Sequence, residues 1–197
     1  MPHRTDALSL LKADHENVKE LLAQLEKSTE RSASKRETLL AQIETEVTIH
    51  TTIEEEIFYP AYRDAVSSKE DRKLFQEALE EHHVVDMVLP ELKRADPASE
   101  VFSAKAKVLK DLIEHHADEE EKEMFRRARS AMDTSELKEL GERMIARKEE
   151  LMAELESSME AGGTGKSRSG GHGKHKQAAA GHHRTSGRSQ PREHTVH

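Results

Sequence analysis

His50 and Glu54 stand four residues apart in Ile49-His-Thr-Thr-Ile-Glu54, and their neighbours decide what chemistry the pair can do. Residues i and i+4 share one face of a helix. Ile43, Val47, Ile53, Ile57 and Phe58 fall on or beside that face, so the imidazole and the carboxylate are expected to point into a core. Buried there, both groups need partners, and a metal ion satisfies both.

The pattern occurs twice. A shift of 66 residues lays His116 and Glu120 over His50 and Glu54, and carries Phe58-Tyr59 onto Met124-Phe125. A shift of 67 lays Glu81-His82, with Val85, Leu89 and Leu92, over Asp14-His15, with Val18, Leu22 and Leu25. Two shifts that agree within one residue describe a duplicated helical hairpin, each half supplying one His and then one His-x-x-x-Glu. The candidate metal ligands are therefore His15, His50, Glu54, His82, His116 and Glu120. His83 competes with His82, and His115 with Glu119 competes with His116 and Glu120. Leu109, Leu112 and Ile113 lie at helical spacings behind His116, and the matched leucines favour His82. Any one of these histidines alone reads as structural; their coincidence in a repeated register does not. Glu55, Glu56, Glu119 and Glu121 read as a solvated acidic face, and Phe58, Tyr59, Met124 and Phe125 as closure of the core at one end.

Four imidazoles and two carboxylates can serve a pair of ions. If each carboxylate bridges, and an oxo or hydroxo group is counted twice, about ten donor positions make two five-coordinate metals. That donor mixture favours iron, manganese or zinc over calcium or magnesium, and a dinuclear, oxygen-rich site with open positions points to two non-haem irons. Cysteine is absent, which excludes disulfides, iron–sulfur clusters and thiolate zinc sites. Ferritin-like centres need Glu-x-x-His on two helices, and only Glu80-Glu-His-His83 has that spacing.

The elements that must hold these residues are helices. Thr5 or Asp6 can cap a first helix to about residue 30, with Leu8, Leu11, His15, Val18, Leu22 and Leu25 inward. A second helix carries Leu39, Leu40, Ile43, Val47, His50, Glu54 and Ile57, and Pro60 is expected to bend or end it near Tyr59. Ser68 with Asp71 forms a capping box for a third, which Pro90 is expected to kink late. Ser99 caps the fourth, and Asp133 or Thr134 opens a fifth through Leu137, Leu140, Met144, Ile145, Leu151 and Leu155. No strand-like alternation appears in the sequence. The fold expected is all-α: an up-down-up-down four-helix bundle with an additional C-terminal helix and a disordered tail.

Charge divides the chain in the same place. Residues 161–197 carry seven Lys/Arg against one Glu, and residues 1–160 carry 24 basic against 38 acidic side chains, within an overall net charge of −8. Residues 1–160 are read as the bundle with its fifth helix, and residues 161–197, rich in Gly, Ser and His, as a disordered basic tail. The tail's histidines suit weak metal binding and its charge a weak attraction to nucleic acid, although no aromatic residues interleave for base stacking. No apolar run approaches the roughly 20 residues of a membrane span, and no signal-peptide pattern opens the chain, so a cytoplasmic location is expected.

On Asp14-His15, His50-Thr-Thr-Ile-Glu54 with Phe58-Tyr59-Pro60, Glu81-His82 and His115-His116-Ala-Asp-Glu-Glu120, the chain resembles the bacterial hemerythrin-like proteins, the hemerythrin family with the HHE cation-binding domain. The resemblance covers residues 6–155. It implies a non-haem di-iron site that meets O2, peroxide or nitric oxide, for sensing, storage or detoxification. Oxygen-carrying hemerythrins have His-x-x-x-His on the third helix, whereas the residue four after His82 is Asp86. One imidazole is missing, which argues against reversible O2 carriage and for peroxide chemistry or sensing, and leaves Asp86 as a further candidate ligand. The alternatives are a catalase-like enzyme that disproportionates peroxide, and a metal-sensing interaction module whose folding follows iron occupancy. The fifth helix either covers the bundle or joins a homodimer.

Overall fold

In the computed structural model the described residues are 5–163, with side chains described through 158. Helix α1 spans Ala7–Lys27, and after a single 3-10 turn at Glu30–Ser32 helix α2 spans Ala33–Ile53. A π turn at Glu54–Phe58 leads without a break into α3, Tyr59–Ala65. Helix α4, Lys69–Arg94, and α5, Glu100–Glu119, follow; a second π turn at Glu120–Met124 leads into α6, Phe125–Ala131, and α7 spans Thr134–Gly163. Four rods thus pack side by side, α1 against α2, α4 against α5 and α1 against α5, and α7 lies across α1 and α2.

Local chemistry sets the starts of these helices. Asp6 accepts the Ser9 N–H at 2.9 Å, Ser68 Oγ the Asp71 N–H at 3.0 Å, and Ser99 Oγ the Phe102 N–H at 3.1 Å. Asp133 accepts from Glu136 N–H at 2.9 Å while Glu136 accepts from Asp133 N–H at 2.7 Å, a reciprocal box that opens α7. At the opposite end of the bundle the buried Arg36 guanidinium donates to Ser28 O at 2.9 Å and Pro97 O at 2.7 Å, tying the α1–α2 and α4–α5 connections together.

Pro60 does not end the second rod, which runs on to Ala65. The wide turn stops beside it: Tyr59 N–H donates to Glu54 O, five residues back. Pro60 then enters the first turn of α3, where a backbone donor is not needed. Helix α4 likewise continues through Pro90 to Arg94.

The core has three layers. Leu8, Leu11, Ile53, Phe58, Tyr59, Tyr62, Met124 and Phe125 fill one end, closed by Leu137, Leu140 and Met144 of α7. Val18, Leu22, Leu39, Ile43, Val47, Val85, Leu92, Leu109 and Ile113 fill the other. Between them lies a layer of buried His and Glu side chains. Helix α7 covers the bundle, with Gly141 directly against the start of α1: a Cβ there would stand 2.4 Å from Thr5 O. Its backbone carries to Gly163, three residues past the boundary expected at 160, and the expected disordered tail lies outside the described residues. Among the described residues no helix is long and apolar enough to cross a membrane.

Candidate metal centre

The polar layer contains all six candidate ligands, each buried: His15, His50, Glu54, His82, His116 and Glu120. His15 comes from α1, His50 from α2, His82 from α4 and His116 from α5, while Glu54 and Glu120 each open a π turn. The two turns stand 66 residues apart, so the wide turn belongs to the repeated unit. π turns that interrupt α-helices are frequent at functional sites.

The imidazoles form two pairs of equal spacing, with ring centroids 4.7 Å apart for His15–His50 and 4.7 Å for His82–His116. Each carboxylate spans both pairs. Glu54 lies 3.2 Å from His50 Nε2 through Oε1 and 3.3 Å from His82 Nε2 through Oε2. Glu120 Oε2 lies 3.2 Å from His15 Nε2 and 3.6 Å from His116 Nε2. Two donors held by one ion at about 2.1 Å stand roughly 3.4 Å apart in tetrahedral geometry, so these separations suit shared ions.

Hydrogen bonding gives an independent test of that fit. His15 Nε2, His50 Nε2, both oxygens of Glu54 and Glu120 Oε2 are buried without a hydrogen-bond partner. So many unsatisfied donors and acceptors in one place would be costly in a dry core, and a metal ion is the partner their chemistry fits.

The outward ring nitrogens are held as well. His82 Nδ1 lies 2.7 Å from Glu55 Oε1, His116 Nδ1 2.9 Å from Glu81 Oε2, and His15 Nδ1 3.2 Å from Glu121 Oε1. Asp14 Oδ2 faces His50 Nδ1 at 3.8 Å, and its other oxygen accepts from Lys148 of α7 at 2.6 Å. A hydrogen-bonded carboxylate behind His15, His82 and His116 fixes the tautomer and turns Nε2 inward, while Asp14 faces His50 from beyond hydrogen-bond distance. Glu55 and Glu121 therefore do more than face solvent, which corrects their reading as a solvated face. Tyr59 is core closure and more: its hydroxyl donates to Glu120 Oε1 at 2.9 Å and lies 3.2 Å from His82 Nε2.

The charges of this layer are strongly shifted. Burial opposes the charged form of His50, but Glu54 and Asp14 outweigh it and raise its pKa from 6.5 to about 10. Burial works against ionisation of Glu54 too, and His50 and His82 overcome it, holding that carboxyl well below 4.5. His82 is raised despite its burial, through Glu54 and Glu55. Burial, with Glu120 and Glu54 nearby, pushes Tyr59 well above 10, so its hydroxyl keeps its proton.

The competing residues separate cleanly. His83 is exposed on α4, and Asp86 is exposed too, away from the layer, so it is not a seventh ligand. The side chain of His115 is 64% exposed and that of Glu119 41%, against 7% and 2% for His116 and Glu120. The supporting residues Asp14, Glu55, Glu81 and Glu121 carried a readable signal. Each adjoins a candidate ligand, and they recur at the same 67- and 66-residue shifts.

A four-helix bundle with paired histidines bridged by two glutamates defines the class: a carboxylate–histidine metal-site protein. The model of the hemerythrin HHE cation binding domain matches residues 6–128, and the chain belongs to that family. A hemerythrin HHE cation binding domain-containing protein from Mycobacterium kansasii has a solved structure that matches with a TM-score of 0.69 at 29% identity, over 83% of this chain and 94% of that one. A DNA nickase from Nostoc sp. is 23% identical over 154 residues, which are 78% of this chain and 42% of the relative. The chain thus spans less than half the length of that relative.

Proposed function

We propose that the chain holds two non-haem irons between its two histidine pairs and meets a small neutral molecule there, O2, peroxide or nitric oxide, for sensing, storage or detoxification. The observation that carries this is the set of buried, unpartnered donor atoms on His15, His50, Glu54 and Glu120. Membership of a cation-binding family supports the same reading. Iron would supply the redox couple and the open coordination positions.

The chain's own residues supply the rest. Glu54 and Glu120 hold negative charge between the pairs, and the outer carboxylates aim each Nε2. A cavity of about 20 Å³ adjoins the four imidazoles, walled by Val18, Val47, Val85 and Ile113. Roughly 10–15 Å³ of such space holds one water, so it suits a molecule of about two heavy atoms. Measured iron per chain and the absorption spectrum test the reading: two irons are expected in the wild type and a large loss in His50→Ala. Iron content unchanged by that substitution would overturn it.

Asp86 facing away favours a catalytic version, because six side chains leave coordination positions open. There, two peroxide molecules give two waters and one O2, and Tyr59 Oη, which keeps its proton, would hold Glu120 in place through its hydrogen bond at 2.9 Å. Purified iron-loaded protein should evolve O2 from peroxide, and Tyr59→Phe should slow it; no evolution would leave a binder or sensor. DNA nicking is not carried over from the longer relative, since the acidic bundle offers a nucleic-acid backbone mostly repulsion.

A further inference from the structure

Glu81 works on two sides. Its Oε2 accepts from His116 Nδ1 at 2.9 Å, and its Oε1 lies 3.6 Å from Nε2 of the exposed His115. The same Nε2 lies 3.4 Å from Glu119 Oε1. One donor atom from each of these three residues lies within 4.8 Å of the other two. The two separations from His115 match the roughly 3.4 Å edge of a tetrahedral ion with bonds of about 2.1 Å, as do those of the buried centre.

Surface His–Glu pairs are common, and it is the internal repeat that points to a cation here. Asp14 is the counterpart of Glu81: it too stands behind an inner histidine, and its outer oxygen is met by the Lys148 ammonium at 2.6 Å. A positive charge therefore completes the outer carboxylate in the first half. Helix α7, which supplies that lysine, packs on α1 and α2. On the α4–α5 side, the positions of the buried Ile49 and Ile53 are taken by His115 and Glu119. Lys73 lines the same groove; its ammonium is paired with Glu77 at 2.7 Å and also feels the charge of Glu119, so a cation bound there would compete with it for that carboxylate.

We propose that Glu81, His115 and Glu119 form a second, surface metal site, taking one first-row divalent cation such as Co2+ or Zn2+ outside the buried centre. One nitrogen and two oxygen donors prefer such ions to calcium or magnesium, and water fills the remaining positions. The site shares the Glu81–His116 contact with the reading above but needs no ion at the buried centre.

Co2+ titration of the full chain, followed by visible absorption and bound-to-free ratio, tests it. His115→Ala is expected to lose one equivalent, and Glu119→Gln to weaken that equivalent by roughly tenfold or more, both with wild-type helicity. His50→Ala should lose the buried ions and keep the outer one. Histidines beyond the bundle are common to every variant and cancel in the comparison. Equal stoichiometry and affinity in wild type and His115→Ala overturns the surface site. An unchanged titration in His50→Ala, with the His115-dependent equivalent still present, overturns the buried centre and leaves the surface site standing.

Discussion

Each inner histidine uses both ring nitrogens, one toward the shared space and one toward a carboxylate. That arrangement sets opposite pH dependences for neighbouring groups. The folded pKa of His50 lies above its ordinary 6.5, so its charged form stabilises the fold fully below pH 6.5, and that contribution is lost as pH rises through about 10. Glu54, held well below 4.5, stabilises above 4.5 and loses its contribution as pH falls through its lowered value. A metal ion needs the unprotonated Nε2, so it competes with the His50 proton. Zn2+ uptake near neutral pH is expected to release a proton from His50, and affinity to climb with pH toward about 10. Calorimetry in two buffers of different ionisation enthalpy counts the protons, and a count of zero would contradict the assigned charge state.

At the scale of the elements, α7 depends on one close approach. A Cβ at Gly141 would stand 2.4 Å from Thr5 O and 2.9 Å from Ala7 N, both backbone atoms that cannot rotate away. Gly141→Ala is expected to push α7 off α1 and cost about 1–3 kcal/mol, read from denaturant unfolding. Unchanged stability would mean that α7 is not held as described. The helices and their inward faces were legible because the leucine spacing and the caps at Ser68, Ser99 and Asp133 are local signals. The six ligands were legible through the repeat. The π turns were not: an extra residue in a turn leaves the apolar pattern nearly intact, and Pro60 read as a bend or an end of the helix near Tyr59. Glu55 and Glu121 misled for another reason. Both are partly exposed, and only the arrival of His82 and His15 from other helices gives them a role.

Taken whole, the molecule buries six inner side chains from four rods: His15, His50, Glu54, His116 and Glu120 stand close enough to share an ion, and His82 reaches the same layer through Glu54 at 3.3 Å, so ions there would tie the rods together. Any ligand of the folded state alone stabilises it, by about 2.7 kcal/mol at a hundred times its dissociation constant. Chelation of iron-loaded protein should therefore lower the thermal midpoint, and an unmoved midpoint would argue against a buried ion. The layered interior has a further effect. Leucine, isoleucine and valine seal one end of the polar layer, and aromatic rings with α7 seal the other. An anion travelling along the bundle axis would have to shed its water to cross either plug, whereas a neutral gas dissolves in it. The oily ends thus act as a charge filter: nitric oxide should associate with the iron-loaded protein much faster than azide does, and the reverse order would place the doorway on the flank of the bundle.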